Sequence, residues 1–238
     1  MYKYRKLIRV ILLVVLLANM AIICGYWLNS SYTYLTSGTI ALQLIAVGRI
    51  LGLFGVLAAL QQFVIIGRIP LLEQAFGQDR LSRIHRITGY VTFIFISLHS
   101  LLIVNGNALL TGKTVPNQYW FMITSYEDIN KAVIALISLY LLVGSSIWIV
   151  RKRLRYEWWH LIHLLTYVFI VFAFGHQIEL GTTLGSFTAF KLYWLTLYVV
   201  ALGLFGFYRF LLPLMHFNAH RFKVSRVVKE SHNVVSIY

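Results

Sequence analysis

Six long apolar stretches constrain this chain more than any other feature of its sequence. Crossing the ~30 Å hydrocarbon core of a bilayer takes about 20 mainly apolar residues in a helix, and each stretch is about that long or longer. The sequence therefore predicts an all-α membrane protein built as a bundle of six transmembrane helices. The stretches are Leu7 to Leu28, Thr39 to Ile66, Ile84 to Val104, Ala132 to Val150, Trp158 to Ile178 and Leu192 to Leu214.

The composition agrees with a membrane protein. Of the 238 residues, 59% are hydrophobic and 12% are charged, whereas a soluble domain is about a quarter charged. Cys24 is the only cysteine, which excludes an intrachain disulfide framework. The first apolar stretch is longer than the hydrophobic core of a signal peptide, so we interpret it as an uncleaved span.

The distribution of positive charge predicts the orientation of the bundle. The chain has 21 Lys and Arg against 7 Asp and Glu, a net charge of +14. Because cytoplasmic connections are rich in Lys and Arg, we expect both termini to be cytoplasmic in a multi-pass protein of the cell membrane. Anionic lipid headgroups suffice as partners for this charge, and no nucleic acid is needed. One side holds Lys3, Arg5, Lys6, Arg9, Arg68, Arg80, Arg83, Arg86, Arg151, Lys152, Arg153, Arg155, Arg209, Arg221, Lys223, Arg226 and Lys229, and the other holds Lys113, Lys131 and Lys191.

The connection between spans two and three has a helical pattern of its own. Leu71, Leu72, Ala75 and Phe76 recur at helical spacing among polar residues, which predicts a short helix on the cytoplasmic surface. This helix either packs on the bundle or forms a docking surface for a cytoplasmic partner domain. Polar residues predict the other connections at 29–31, 105–107, 151–155 and 181–183.

Four of the eight histidines lie at informative places in the predicted spans, where ionisable groups are costly and mark functional sites. His85 and His99 are 14 residues apart on span three, which gives about 21 Å of rise and about 40° of rotation. His163 and His176 are 13 residues apart on span five, about 19.5 Å of rise. Since the two spans run in the same direction, His85 matches His163 in depth and His99 matches His176. Two facing imidazole pairs predict two haems with two histidine ligands each.

The rotation along span five fits this prediction less simply. Thirteen residues turn a helix by about 220°, so a straight helix presents His163 and His176 on different faces. Either the helix is distorted, for example near Gly175, or the two cofactors approach it from different directions. His160 is one turn before His163 and matches His85 less well in depth, so we interpret it as interfacial or as a partner of a haem propionate.

Other chemistry is open to the same histidines. A transition-metal site needs its ligands within a few ångströms, whereas these residues lie at two depths. A proton channel or transporter could use the histidines and Arg49 as a polar pathway, but it gives no reason for two depth-matched pairs.

These residues resemble the transmembrane domain of the ferric reductase and NADPH oxidase family, in the form of bacterial-type ferric oxidoreductases. The resemblance rests on the His-x13-His of span three, the His-x12-His of span five and the stretch Tyr156 to His163, with Arg49 and the segment Arg68 to Glu73 in addition. It implies an oxidoreductase in which two b haems carry electrons from a cytoplasmic flavin, reduced by NADH or NADPH, to a small-molecule acceptor at the outer face. A haem subunit fed by a separate reductase or by quinone is the alternative.

The resemblance also suggests roles for Phe169 and Arg49. Family members often have an aromatic residue between the haems on the fifth helix, and Phe169 matches that place, although a core aromatic is the simpler interpretation. Arg49 lies in an apolar span, where an arginine is costly. We expect it to bind a haem propionate or to line the acceptor pocket, as a similarly placed arginine does in related oxidases. A hydrogen bond to helix carbonyls is the alternative.

The chain departs from the family at two places. Superoxide-producing oxidases carry a further histidine where this chain has Ile103, so ferric chelates compete with oxygen as the expected acceptor.

A complete family enzyme continues into FAD and nicotinamide domains. Residues 221–228 and 233–238 alternate like two strands around a turn at 230–232. We therefore expect a haem-binding domain at 1–215 and the beginning of a truncated FAD-binding, β-rich domain at 216–238, in a fragment of a longer protein.

Overall fold

The computed structural model describes residues 2–126, 128–220, 226–232 and 234–237. It confirms the predicted fold class at the level of a mostly helical protein with six helical segments long and apolar enough to cross a membrane. Every predicted stretch falls mainly within one of them. These segments are Tyr4–Thr36, Ile40–Ile66, Gln78–Thr111, Ile129–Ser146, Tyr156–Leu180 and Thr188–Ala219.

Short helices and interruptions divide these segments further. The helices are α1 (Tyr2–Thr36), α2 (Ile40–Ile66), α3 (Pro70–Phe76), α4 (Gln78–Thr111), α5 (Val115–Ser125), α6 (Ile129–Ser146), α7 (Trp148–Arg153), α8 (Tyr156–His163), α9 (Leu165–Leu180), α10 (Thr182–Ser186), α11 (Thr188–Gly206) and α12 (Leu212–His220). A π-helical turn at Phe207–Leu211 joins α11 to α12.

Two predicted connections are wrong, because residues 29–31 lie inside α1 and residues 105–107 lie inside α4. In α4 the two asparagine side chains bond back onto the helix. Asn105 donates to the carbonyl of Leu101 and Asn107 to that of Ile103, both at 2.7 Å. Asn and Ser usually compete with helix formation through such local bonds, but here the bonds are made without leaving the helix.

The predicted short helix between spans two and three is confirmed as α3. Pro70 occupies its first turn, where its missing N–H costs nothing. Leu72 and Ala75 are buried while Leu71 is exposed, so α3 is amphipathic. The guanidinium of Arg9 donates to the carbonyl of Ala75, with Nε at 2.8 Å, which ties α1 to the last turn of α3.

Helices α2 and α4 form the closest packed pair, and glycines allow the approach. A Cβ atom added at Gly55 would lie 2.6 Å from Cδ1 of Ile96, and one at Gly106 would lie 2.7 Å from the carbonyl oxygen of Ala41. Small residues let helix backbones approach closely inside a membrane, where dispersion contacts drive association. The position of α4 is therefore defined mainly by α2.

The fifth span is interrupted between its two histidines. Helix α8 ends at His163 and α9 begins at Leu165, with Leu164 between them. Gly175, where we considered a distortion, lies inside the continuous helix α9. The span is therefore distorted, but next to His163 rather than near Gly175.

The core of the bundle is aromatic and lies between α2, α9 and α11. Phe190 and Trp194 are fully buried. The indole of Trp194 and the hydroxyl of Tyr198 both donate to Oε1 of Gln177, at 2.6 and 3.3 Å. Buried polar groups need such partners, and these bonds link α9 to α11.

The predicted pair of strands is present, with different bounds. Strand β1 (Val227–Ser231) pairs antiparallel with β2 (Val234–Ile237). Glu230 and Ser231, predicted as the turn, belong to β1. The predicted strand residues 221–225, and also 233 and 238, lie outside the described residues.

Candidate functional site

The four histidines of spans three and five form two pairs. The inner pair is His85 on α4 with His163 at the end of α8, and their ring centroids are 6.3 Å apart. The outer pair is His99 on α4 with His176 on α9, and their ring centroids are 6.4 Å apart. The structure thus brings together the same partners that matching by depth predicted. It leaves His160 apart, exposed and stacked on Tyr156.

These separations fit a metal held between each pair of rings. An imidazole nitrogen binds a first-row metal at about 2 Å, and the ring centre lies about 1 Å beyond the nitrogen, so two rings on opposite sides of one ion have centres about 6 Å apart. Direct contact between imidazoles does not require this gap. Both pairs therefore have the spacing that two axial ligands need.

The ring of His99 is oriented by a hydrogen bond to α2. Its Nδ1 lies 2.8 Å from the carbonyl oxygen of Gly48. Because a carbonyl only accepts, Nδ1 carries the hydrogen and Nε2 keeps its lone pair free for a metal. By contrast, the Nδ1 atoms of His163 and His176 are buried without a hydrogen-bond partner. In the outer pair, the Nδ1 atom of the histidine on α4 is thus hydrogen-bonded, whereas that of its partner on α9 is not.

A glycine on α2 makes room for the same ring. A Cβ atom added at Gly52 would lie 2.7 Å from Nδ1 of His99 and 3.0 Å from its Cε1. No side chain fits there without moving the imidazole. The carbonyl of Gly48 therefore supplies the hydrogen-bond acceptor for His99, and the missing side chain of Gly52 leaves space for its ring.

A cavity of ≈460 Å³ surrounds the outer pair. This volume lies within the range of small-molecule and cofactor sites. Most of its lining is apolar, and polar groups come from both the spans and α5. The side chains that bear on its chemistry are Tyr34, Arg49, His99, Gln118, Tyr119, Phe169 and His176.

Arg49 lines this cavity with an unsatisfied donor. Its guanidinium carbon lies 4.2 Å from the ring centre of Tyr34, a cation–π contact. Its Nη1 is buried and has no hydrogen-bond partner. An unpaired buried charged donor is costly, so the cavity favours an anionic or hydrogen-bond-accepting group beside Arg49.

Phe169 is 3% exposed and belongs to the main core cluster. It also lines the cavity. Phe169 thus has the burial of a core aromatic and a position beside the cavity, where it is available for a role next to a cofactor.

Two sets of residues at the site were missed by sequence reasoning. Helix α5 contributes Gln118 and Tyr119, which bond to Thr111 and Ser100 of α4 at 2.9 and 3.1 Å. Its apolar periodicity is too short for a span and gave no functional signal. Gly48 and Gly52 could have been found, because glycines four residues apart in an apolar stretch are typical of close helix packing.

No group of three or more His, Cys, Asp or Glu side chains converges on a common point within the described part of the chain. The histidines thus form two separate pairs, not one compact cluster.

Residues 51–174, slightly more than half of the chain, match the family described as "Ferric reductase like transmembrane component". The chain belongs to this family. The match includes His85, His99 and His163 and ends just before His176. Membership makes this ferric reductase-like component an oxidoreductase of a family associated with transmembrane electron transfer. No curated protein and no solved structure matches the chain.

Proposed function

We propose that this ferric reductase-like component carries electrons across the membrane through two b haems. His85 and His163 would hold the inner haem, and His99 and His176 the outer one. The observation that carries the proposal is the separation of the paired rings, 6.3 and 6.4 Å. When bound, haem supplies the one-electron redox chemistry, with potentials set by its axial ligands and surroundings.

The protein's own contribution is ligation, orientation and exclusion of water. The apolar spans around the pairs provide a low dielectric, and α2 holds the ring of His99 with Nε2 free. Phe169 would fill the space between the two sites. Arg49 would pair its free Nη1 with a haem propionate or with the electron acceptor.

The direction of electron flow follows from the charge distribution. The basic residues lie at the ends of the spans nearest the inner pair, which supports a cytoplasmic location for that end and for both termini. Electrons would come from a flavin reduced by NADH or NADPH. The antiparallel pairing of β1 and β2 supports their assignment to the beginning of a flavin-binding domain at 216–238, after a haem-binding domain at 1–215.

The acceptor would react at the cavity beside the outer pair. Ile103 lines this cavity where superoxide-producing relatives carry a histidine, which favours ferric chelates over oxygen. Assays of the full-length protein with reduced nucleotide, comparing ferric chelates, oxygen and quinones, would rank the acceptors.

A reduced-minus-oxidised visible spectrum combined with haem and protein quantification tests the proposal. We expect b-type bands and two haems per chain. A purified, folded protein with one haem or none would overturn the two-haem proposal, and the absence of haem would favour a proton pathway through the same residues.

A further inference from the structure

A glutamine on α2 faces the inner pair. The side-chain amide of Gln62 lies against the turn of α4 that carries His85. With its nitrogen towards this turn, the amide donates to the His85 carbonyl at 3.0 Å and to Nδ1 at 2.5 Å, while its oxygen accepts from the N–H of Gly89 at 2.6 Å. The two ends of the Gln62 amide thus contact the backbone and the imidazole ring of one turn of α4.

The fit of this amide depends on the residue at position 89. A Cβ atom added at Gly89 would lie 3.1 Å from the end of the Gln62 amide that faces Gly89. That distance is tighter than most contacts of a real Cβ, so a larger residue at position 89 would push the amide away. The approach is therefore built into the α2–α4 packing.

The orientation of the amide is linked to the hydrogen on the imidazole. When the amide nitrogen donates to Nδ1, the hydrogen of His85 is on Nε2, and Nε2 cannot bind iron. When the amide is turned by half a rotation, its oxygen faces Nδ1, which can then carry the hydrogen and leave Nε2 free. The turned amide gives up its bonds to the His85 carbonyl and the Gly89 N–H, so it is favoured only when Nε2 binds a metal. A primary amide can do both because it has a donor and an acceptor end. The carbonyl of Gly48, which faces His99, can only accept.

We propose that Gln62 is a positioning residue for the inner haem, whose amide holds the His85 ring and turns to accept from Nδ1–H when Nε2 binds iron. This inference rests on the proposed ligation of a haem by His85 and His163. An acceptor on Nδ1–H orients the ring and makes the imidazole a stronger donor to the metal. A stronger donor favours the ferric state, so Gln62 lowers the reduction potential of the inner haem.

Three variants of the full chain test this inference. Gln62→Met removes the acceptor at similar volume, Gln62→Glu makes the side chain a permanent acceptor when ionised, and Gln61→Met is the matched control. Gln61 is the adjacent residue on α2, about 100° around the helix axis. Each variant is measured by haem quantification and by potentiometric titration followed by visible and EPR spectra. The component of the visible and EPR spectra that is lost in His163→Ala is assigned to the inner haem.

We expect the potential of the inner haem to rise in Gln62→Met and to fall in Gln62→Glu, with the outer component unchanged in both. Gln62→Met should also retain the inner haem less well, since loss of an outer partner of a metal-binding histidine weakens binding about 10–100-fold. Gln61→Met should match the unmodified protein.

Shifts in the same direction in both Gln62 variants would overturn the inference, as would an equal shift in Gln61→Met. If Gln62→Met yields no folded protein, the direction of the shift in Gln62→Glu decides alone, and no shift or an upward shift overturns it. Failure of the two-haem proposal itself is recognised separately, because it appears as missing haem in the unmodified chain.

Discussion

Helix α4 and the interrupted span α8–α9 each contribute one histidine to each pair, but they do so in different ways. Helix α4 is continuous, and its 14-residue spacing returns both histidines to nearly the same face. The fifth span has a 13-residue spacing, and a local irregularity at Leu164 separates His163 from the helix that carries His176. On α4 the Nδ1 atoms face acceptors or donors of α2, whereas on the fifth span they have no partner.

This difference indicates which histidine of each pair is held in place by neighbouring residues. Helix α2 positions α4 through glycine packing and through contacts with both of its histidine rings. The Nδ1 atoms of the fifth-span histidines have no hydrogen-bond partner, and His163 packs against the tilted ring of Trp159 with ring centroids 5.0 Å apart. We infer that α4 acts as the rigid half of each site and that the fifth span adjusts to it.

Removing one histidine of the outer pair should have the largest effect. We expect His99→Ala and His176→Ala each to reduce the haem content from two per chain to one, because each leaves the outer iron with a single axial ligand. Quantification of haem against protein measures this, with the inner haem as the internal control. Two haems retained in either variant would show that the outer pair is assigned wrongly.

A smaller change, made on α2, should affect the outer site by displacing the ring of His99 on α4. In Gly52→Ala the new methyl group would lie 2.7 Å from Nδ1 of His99, so the ring must move. We expect at least half of the outer haem to be lost while the inner haem is retained.

Gly144→Ala is the matched control for Gly52→Ala, because a Cβ atom there would meet nothing within 4 Å. Both changes favour a helix by about 1 kcal/mol, so a loss of haem confined to Gly52→Ala comes from the contact with His99. Equal haem contents in the two variants would contradict α2 as the support of the outer site.

Removing the aromatic neighbour of His163 should have the smallest effect. An aromatic contact of this kind contributes about 0.5–1.5 kcal/mol, so we expect Trp159→Leu to keep two haems and to broaden the EPR signal of the inner one. Trp158→Leu is the control, since Trp158 is 58% exposed. Complete loss of the inner haem in Trp159→Leu would mean that the fifth span is not the adjustable half.

Much of the bundle and the pairing of its histidines could be predicted from the sequence, because both depend on rise per residue. Six apolar lengths give six spans, and spacings of 14 and 13 residues give two matched depths. Rotation was harder to predict. Leu164 is neither proline nor glycine, so the local sequence gives no sign of the irregularity there.

The connections and the outer partners of the histidines depend on contacts that the local sequence does not contain. Asn105 and Asn107 look like loop residues until their side chains are seen to bond to α4 itself. Gln62 is an ordinary polar residue near the end of a span, and only the register of α2 against α4 brings its amide to His85. The hairpin was recognised by its alternation, but its turn was placed too early because Glu230 and Ser231 extend β1.

The π-helical turn at Phe207–Leu211 has a consequence for everything beyond it on the last span. Its hydrogen bonds close one residue later than those of an α-helix, which amounts to one extra residue inserted into the helix. Deleting one residue from this turn would rotate α12 by about 100° and draw it back by about 1.5 Å. The π-helical turn thus sets which face of α12 points towards the rest of the bundle.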